Sequence, residues 1–255
     1  MNYRSRKIRT DISYKLQREV AALTDVWNRQ LQEEGVNDLA AVVIDVHTGK
    51  ELAYIGNANP GQSRPGAKVD IARAPRSTGS ILKPFLYCAM LQNGQILPHT
   101  LLPDIPLNIN GFSPQNFDQT FCGALPASEA LARSLNVPFV HLLQMYGVPL
   151  FTSLLKNAGM STLNRPASDY GLSLILGGAE GRLLEITRMY ASLSASFLHC
   201  RWLGESFPLR DRVALWWTFD ALKEVGRADE IDWKVLPSVS RIAWKTGTSW
   251  GFRDA

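Results

Sequence analysis

The stretch Arg76-Ser-Thr-Gly-Ser-Ile-Leu-Lys83 holds residue types that could carry out acyl transfer. Lys83 stands at i+3 from Ser80, and residues three apart share a helix face. Its amine can therefore reach the Ser80 hydroxyl and act as its base, provided burial lowers the lysine pKa. Ser77 has Ser80 at its own i+3 and so lacks a base, which leaves Ser80 as the candidate nucleophile. The same stretch reads as a helix start: Ser, Thr and Gly precede an apolar run over 81–91, Pro84 is tolerated in a first turn, and Asn93-Gly94 ends the run. That position suits a nucleophile, because a helix N-terminus offers unpaired N–H groups and a partial positive charge to a developing anion.

Two further signals follow in order, Ser134-Leu-Asn136 and Lys245-Thr-Gly-Thr248. Taken singly, each has a plain meaning. The first is a helix end with Asn136 as cap and Pro138 behind it; the second is a strand running into a glycine turn. An isolated S-x-x-K is equally ordinary, and the chain has another, Ser153-Leu-Leu-Lys156, after which Thr162-Leu-Asn164 comes too soon to be its partner. His47-Thr-Gly49 precedes the nucleophile and belongs to a hairpin.

S-x-x-K, S-x-N and K-T-G in that order are a far more specific signal. An acyl-transfer serine needs a base, a proton relay to the leaving amine, a carboxylate clamp and an oxyanion hole. Lys83 and the Ser134 hydroxyl can serve as base and relay, and Asn136 can hold a substrate amide. Lys245 with the Thr246 and Thr248 hydroxyls can hold a terminal carboxylate. A strand through Gly247 would also present backbone N–H groups to an extended peptide.

The elements that must position these groups can be read from the hydrophobic pattern. Leu16, Val20, Leu23, Trp27 and Leu31 repeat at helical spacing and predict an amphipathic helix over 11–34, closed by Gly35. A buried strand over 39–45, a turn at 47–50 and a strand over 51–56 form a hairpin. Residues 57–70 read as a loop. From 80 to about 230 the pattern is mostly helical, with loops at 103–126 and 161–171, and 238–244 reads as a final strand. Strands at both ends of a helical middle imply an α/β layer with an all-α insertion. The division expected is 9–80 with 232–255 as the α/β part and about 81–231 as the helical part.

Bulk properties exclude several classes. The 255 residues are 45% hydrophobic and 20% charged, as in a soluble globular protein. The net charge of +4 is mild, and no like-charge block exceeds residues 4–9, so nucleic-acid binding is not indicated. No apolar run approaches the ~20 residues that span a bilayer, and the N-terminus lacks the apolar core of a signal peptide. The three cysteines, Cys88, Cys122 and Cys200, form no C-x-x-C pair and are expected as buried free thiols. No metal-ligand cluster or phosphate loop occurs.

The three motifs resemble the active site of penicillin-binding proteins and serine β-lactamases. Arg9-Thr-Asp-Ile-Ser-Tyr-Lys-Leu-Gln17, Pro114-Gln-Asn-Phe-Asp118, Gly123, Ala130-Leu-Ala-Arg-Ser-Leu-Asn-Val-Pro138, Leu176-Gly-Gly-Ala-Glu180 and Leu184-Glu-Ile-Thr-Arg-Met-Tyr-Ala191 narrow this to the transpeptidase domain of class A (bifunctional) penicillin-binding proteins. The resemblance runs from about residue 9 to 255. It implies an α/β (α+β) fold of the β-lactamase/transpeptidase type, an antiparallel sheet with flanking helices plus an all-α subdomain. It also implies that Ser80 attacks the D-Ala-D-Ala bond of a peptidoglycan stem peptide, that a neighbouring stem's amine resolves the acyl-enzyme, and that penicillin acylates the same serine. The oxyanion hole would be the backbone N–H groups of Ser80 and Thr248, and the Gly177-Gly178 segment would be structural. Stem peptides and β-lactams are the implied partners, with no cofactor and no metal. The full-length relatives are membrane-anchored at the periplasmic face of the inner membrane and carry a glycosyltransferase domain.

Rival readings share part of this set. A serine β-lactamase must deacylate by water, and one common form uses a Glu in an E-x-x-L-N run; here Leu163-Asn164 has Met160 in that position. A carbamylated lysine could take the place of that Glu. A D-Ala-D-Ala carboxypeptidase differs only in its acceptor. A Ser-His-Asp hydrolase is disfavoured by the absence of G-x-S-x-G and by the placement of His47, His99, His141 and His199 in a turn, a loop and apolar helices. Only eight residues follow Gly247, where the resembling family continues into further strands of the sheet. An inactive, penicillin-binding remnant that folds poorly is therefore also an expectation.

Overall fold

The computed structural model describes residues 8–58, 63, 66–224 and 242–249. In chain order its elements are α1 (Tyr14–Glu33), β1 (Ala41–Ile44), β2 (Glu51–Ile55), β3 (Arg76–Ser77), α2 (Lys83–Gln92), β4 (Leu101–Asp104), β5 (Gly123–Pro126) and α3 (Ala127–Ala132). They continue with α4 (Asn136–Tyr146), α5 (Val148–Ala158), α6 (Ala167–Tyr170), a 3-10 helix (Gly171–Leu176), β6 (Glu180–Gly181), α7 (Leu183–Phe197) and α8 (Arg212–Lys223). Two units result. The first comprises the described residues up to Pro75 together with Arg182–Gly204, so α7 belongs to it. The second comprises Arg76–Gly181 and the described residues from Glu205 onward.

The first unit is built on the expected hairpin. β1 and β2 pair antiparallel with Ala41 opposite Ile55 and Val42 opposite Tyr54. The turn between them is structural. Asp45 accepts the N–H groups of His47 and Thr48, and Gly49 at φ +70° lies under Trp202, whose ring would be 2.6 Å from a Cβ there. Helix α1 starts at Ser13, whose hydroxyl accepts from Leu16 N, and packs on β2, while α7 packs on β1.

The face that α1 turns inward differs from the expected stripe. Leu23 and Trp27 are 60% and 57% exposed, whereas Thr24 and Asn28 are buried. The reason is a polar clamp. The Gln17 amide accepts from Tyr54 N at 2.7 Å and donates to Tyr54 O at 2.9 Å, filling one position of a strand ladder. Asn28 donates to Asn37 O further along the helix. These bonds, and not the apolar repeat alone, set the rotation of α1.

The second unit is mostly helical. Helix α2 has Lys83 through Met90 buried, the pattern of a helix enclosed on all sides. It packs against α3, α4 and α8. Phe85, Leu86 and Met90 on α2 and Phe139, Leu142 and Leu143 on α4 are fully buried, each contributing ~1.5–3 kcal/mol. The span expected as a loop at 103–126 contains β5, which pairs with β4; proline and glycine at the ends of so short a ladder hide it from periodicity. The expected 161–171 loop likewise contains α6. Of the expected final strand, 238–241 lies outside the described residues, and 242–249 has no regular secondary structure, because no ladder partner lies beside it among the described residues. Cys88 is a buried thiol as expected, but Cys122 is exposed and Cys200 half-buried; Cys122 lies just ahead of β5, where its N–H donates to Asp104. No single helix among the described residues is long and apolar enough to cross a membrane; α4 and α5 pass such a test only as a pair bent by 94°, and both are core helices of this unit.

Candidate active site

Three segments of the second unit converge: the turn ahead of α2, the α3–α4 junction and residues 242–249. Ser80 lies in the turn. Lys83 N donates to Ser80 O at 3.2 Å, and Pro84 sits in the first helical turn, where its missing N–H leaves no bond unmade. Asn93 caps the other end and Gly94 follows at φ +67°. Ser80 is therefore placed at the helix start, as its neighbours predict.

The S-x-N segment is a junction between helices. Arg133 caps α3 and Ser134 takes a left-handed backbone at φ +55°, a conformation that costs a non-glycine residue ~1–2 kcal/mol. Leu135 returns to extended geometry and Asn136 opens α4. Asn136 thus begins a helix instead of ending one, and Pro138 occupies its first turn. The double bend points Ser134 and Asn136 toward α2.

Lys83 receives them. Its Nζ donates to Ser134 O at 2.8 Å, Leu135 O at 3.0 Å and Asn136 Oδ1 at 2.7 Å, and it lies 5.5 Å from the Phe139 ring centre. The side chain is fully buried, and none of its hydrogen-bond partners is a carboxylate. Burial, with the neighbouring Lys245 charge adding to it, holds Lys83 well below the ordinary lysine range. Three acceptors favour the ammonium form, but dipoles alone offset only part of the desolvation. Nζ is turned toward the S-x-N segment; among the described residues Ser80 Oγ has no hydrogen-bond partner.

Lys245 approaches from the third segment. Its Nζ donates to Ser134 Oγ at 2.7 Å and to Thr246 O at 2.6 Å, and burial lowers its pKa to about 8. Because Ser134 Oγ accepts from Lys245, its own proton is left for another acceptor. Thr246 and Thr248 are exposed, and Gly247 is half-buried. A Cβ on Gly79, at φ +50°, would lie 2.7 Å from both Thr248 N and Thr248 O. A Cβ on Gly247 would meet Ile81 and Thr78 O at 2.5 and 2.9 Å. Glycine at both positions lets the Thr248 backbone lie against the turn that holds Ser80. A Cβ on Gly177 would likewise lie 2.7 Å from Gly79 N, and the Gly177 carbonyl accepts from Ser77 Oγ at 2.9 Å.

The rejected motifs lie elsewhere. Ser153 and Lys156 are exposed on α5. Met160 is fully buried and Asn164 is exposed. Two polar residues to which the sequence assigned no role support the junction: Asn116, whose Oδ1 accepts from Asn136 N, and the fully buried Asp104, which accepts from Asn116 Nδ2. Asp104 fell in a stretch read as loop and carried no signal of its own. No group of His, Cys, Asp and Glu among the described residues could hold a metal ion.

Two buried or half-buried lysines, a strained serine and an asparagine grouped beside an unengaged serine at a helix start are the groups acyl transfer requires. Residues 39–176 match the family described as the penicillin-binding protein transpeptidase domain. The chain belongs to that family and is a transpeptidase domain of the class A type. It is 34% identical over 99% of its length to penicillin-binding protein 1C of Escherichia coli (strain K12), of which it spans 33%. Among solved structures, the penicillin-binding protein PonA1 from Mycobacterium tuberculosis shares the fold at a TM-score of 0.67 and 23% identity, over 86% of this chain and 63% of that one. PonA1 in complex with penicillin V aligns at a TM-score of 0.59 and 27% identity, over 74% of this chain and 51% of that one.

Proposed function

We propose that the chain is a D,D-transpeptidase that cross-links peptidoglycan stem peptides through an ester on Ser80. The observation that supports this most directly is the meeting of Lys83 and Lys245 on one short segment, Ser134–Asn136. In the first half-reaction Ser80 Oγ attacks the carbonyl of the penultimate D-Ala and gives its proton to neutral Lys83. The N–H groups of Ser80 and Thr248 stabilise the oxyanion. The C–N bond breaks, and the departing D-Ala amine takes the Ser134 hydroxyl proton, which Lys83 replaces. In the second half-reaction an amine of a neighbouring stem attacks the ester, an amide forms, and Ser80 Oγ recovers its proton. Lys245, Thr246 and Thr248 hold the terminal carboxylate of the donor, and Asn136 holds its amide. β-Lactams enter the same path and stop at the ester, as the penicillin V complex of the 27% identical PonA1 leads one to expect.

Hydrolysis by the Glu-dependent β-lactamase route finds no support, because buried Met160 can neither hold nor activate a water. The proposal treats 9–255 as one penicillin-binding domain acting where stem peptides are found, at the periplasmic face of the inner membrane. The test is a donor pentapeptide ending in D-Ala-D-Ala mixed with an acceptor amine. A dimeric amide product with release of D-Ala supports transpeptidation. Free tetrapeptide alone would mean carboxypeptidase activity, and sustained nitrocefin turnover would mean a β-lactamase.

A further inference from the structure

The start of α4 is held from outside the helix by a buried polar chain. Asn116 Oδ1 accepts from Asn136 N at 2.9 Å and Val137 N at 3.3 Å, two of the N–H groups a helix N-terminus leaves unpaired. No side chain of the junction itself caps α4. Asn116 Nδ2 donates to Asp104 Oδ1 at 2.7 Å and to Thr120 O at 2.9 Å, so every hydrogen-bonding site of its amide is used. Asp104 also accepts from Cys122 N at 2.9 Å and is fixed in β4, opposite Gly123. Both side chains are buried, Asp104 at 0% and Asn116 at 3% exposure. The neighbouring Gln115 O accepts from Asn136 Nδ2 at 2.8 Å. A carbonyl can only accept, so this bond turns Asn136 Oδ1 to Lys83.

We propose that Asn116, oriented by Asp104, is a positioning residue for acyl transfer: it pins the N-terminus of α4 and so keeps Asn136 and the left-handed Ser134 in register with Lys83. The proposal rests on the acyl-transfer reading above. The orientation of the Asn116 amide is the central point. Both Asp104 carboxyl oxygens accept hydrogen bonds, Oδ1 from Asn116 Nδ2 and Oδ2 from Cys122 N, so Asp104 draws Nδ2 toward itself and leaves Oδ1 for α4. Without Asp104 the amide can turn over and present N–H groups to N–H groups. Without Asn116 the α4 N-terminus has no partner, and Ser134 has no reason to hold a backbone that serine avoids. Lys83 would then lose the acceptors that fix its Nζ beside Ser134.

The test combines amide exchange with penicillin acylation on the 255-residue chain. In Asn116→Ala the Asn136 and Val137 amide protons should lose their protection. The acylation rate constant should fall ~10²-fold, as misplacement of reacting groups does, while the dissociation constant of the encounter complex with benzylpenicillin stays near that of wild type. Asp104→Asn should lose rate in the same direction. The exchanged pair Asp104→Asn with Asn116→Asp puts the donor on 104 and the acceptor on 116, and should regain part of that rate. Leu155→Ala, a core change on α5, provides the stability control. Retained amide protection in Asn116→Ala, or an acylation constant no lower than that of the control at equal loss of Tm, would overturn the positioning role. A wild-type chain that takes up no penicillin would overturn the acyl-transfer reading and with it the catalytic consequence, whereas lost protection in Asn116→Ala would still support the cap.

Discussion

Lys83 Nζ lies 2.7 Å from Asn136 Oδ1 and bonds two carbonyls of the same segment, so the lysine of the first motif is held by the second. This bond fixes Nζ within the site without a carboxylate, which would keep the amine charged. As the proposed base, Lys83 must nevertheless lose a proton. Lys83→Arg keeps a charge that cannot be lost at any working pH, and it should abolish labelling by a fluorescent penicillin. Near-normal labelling of that variant would mean another group is the base.

The two lysines predict the pH dependence. The proposed mechanism requires neutral Lys83 and charged Lys245, so acylation should rise with pH as Lys83 deprotonates and fall as Lys245 discharges at about 8. Lys245→Arg should move the alkaline limb out of the measurable range. Stability follows the same groups. Both folded pKa values lie below the usual lysine value, so between each folded value and the ~10.4 of an unfolded lysine the unfolded chain binds more protons. These groups therefore raise stability with increasing pH through that window and lower it as pH falls. Rate–pH and Tm–pH profiles of wild type and Lys245→Arg check both parts.

Lys245 holds the Ser134 hydroxyl, and the proposed mechanism also gives it the substrate carboxylate. A charge-assisted hydrogen bond contributes ~1.5–3 kcal/mol, so Lys245→Ala should slow acylation by about one to two orders of magnitude. β-Lactams lacking the carboxylate should lose less, because only the Ser134 contact is at stake for them. Equal losses for both kinds of compound would leave Lys245 without a clamp role.

Gly79 and Gly35 both have positive φ, at +50° and +86°, but of the two only a Cβ on Gly79 would meet a neighbour, Thr248 at 2.7 Å. Gly35→Ala meets backbone strain alone and should label at the wild-type rate with a slightly lower Tm. Gly79→Ala must also push the Thr248 backbone away from the Ser80 turn, and its labelling rate should fall by ~10²-fold. Equal behaviour of the two variants would show that the Thr248 approach is dispensable.

Much of the site was legible because its chemistry is carried by local spacing. Ser80 and Lys83 are linked by the turn that leads into α2, and the order of the three motifs separated them from Ser153–Lys156, which proved to be exposed. What was not legible depends on tertiary partners. Nothing local shows that Asn136 opens a helix, since its cap comes from Asn116, twenty positions away in sequence. Nor does periodicity show which face of α1 is inward, because Gln17 and Asn28 dock it through amide bonds to β2 and to Asn37. The short β4–β5 ladder was missed because Pro103 and Gly123 interrupt the strand pattern.

The central claim is that Ser80 forms the ester. Intact mass analysis and peptide mapping after incubation with benzylpenicillin test it most directly. The account predicts one adduct per chain, located on the peptide that contains Ser80 and absent from Ser80→Ala. An adduct that maps to Ser77, Ser134 or Ser153, or one that persists in Ser80→Ala, would contradict it.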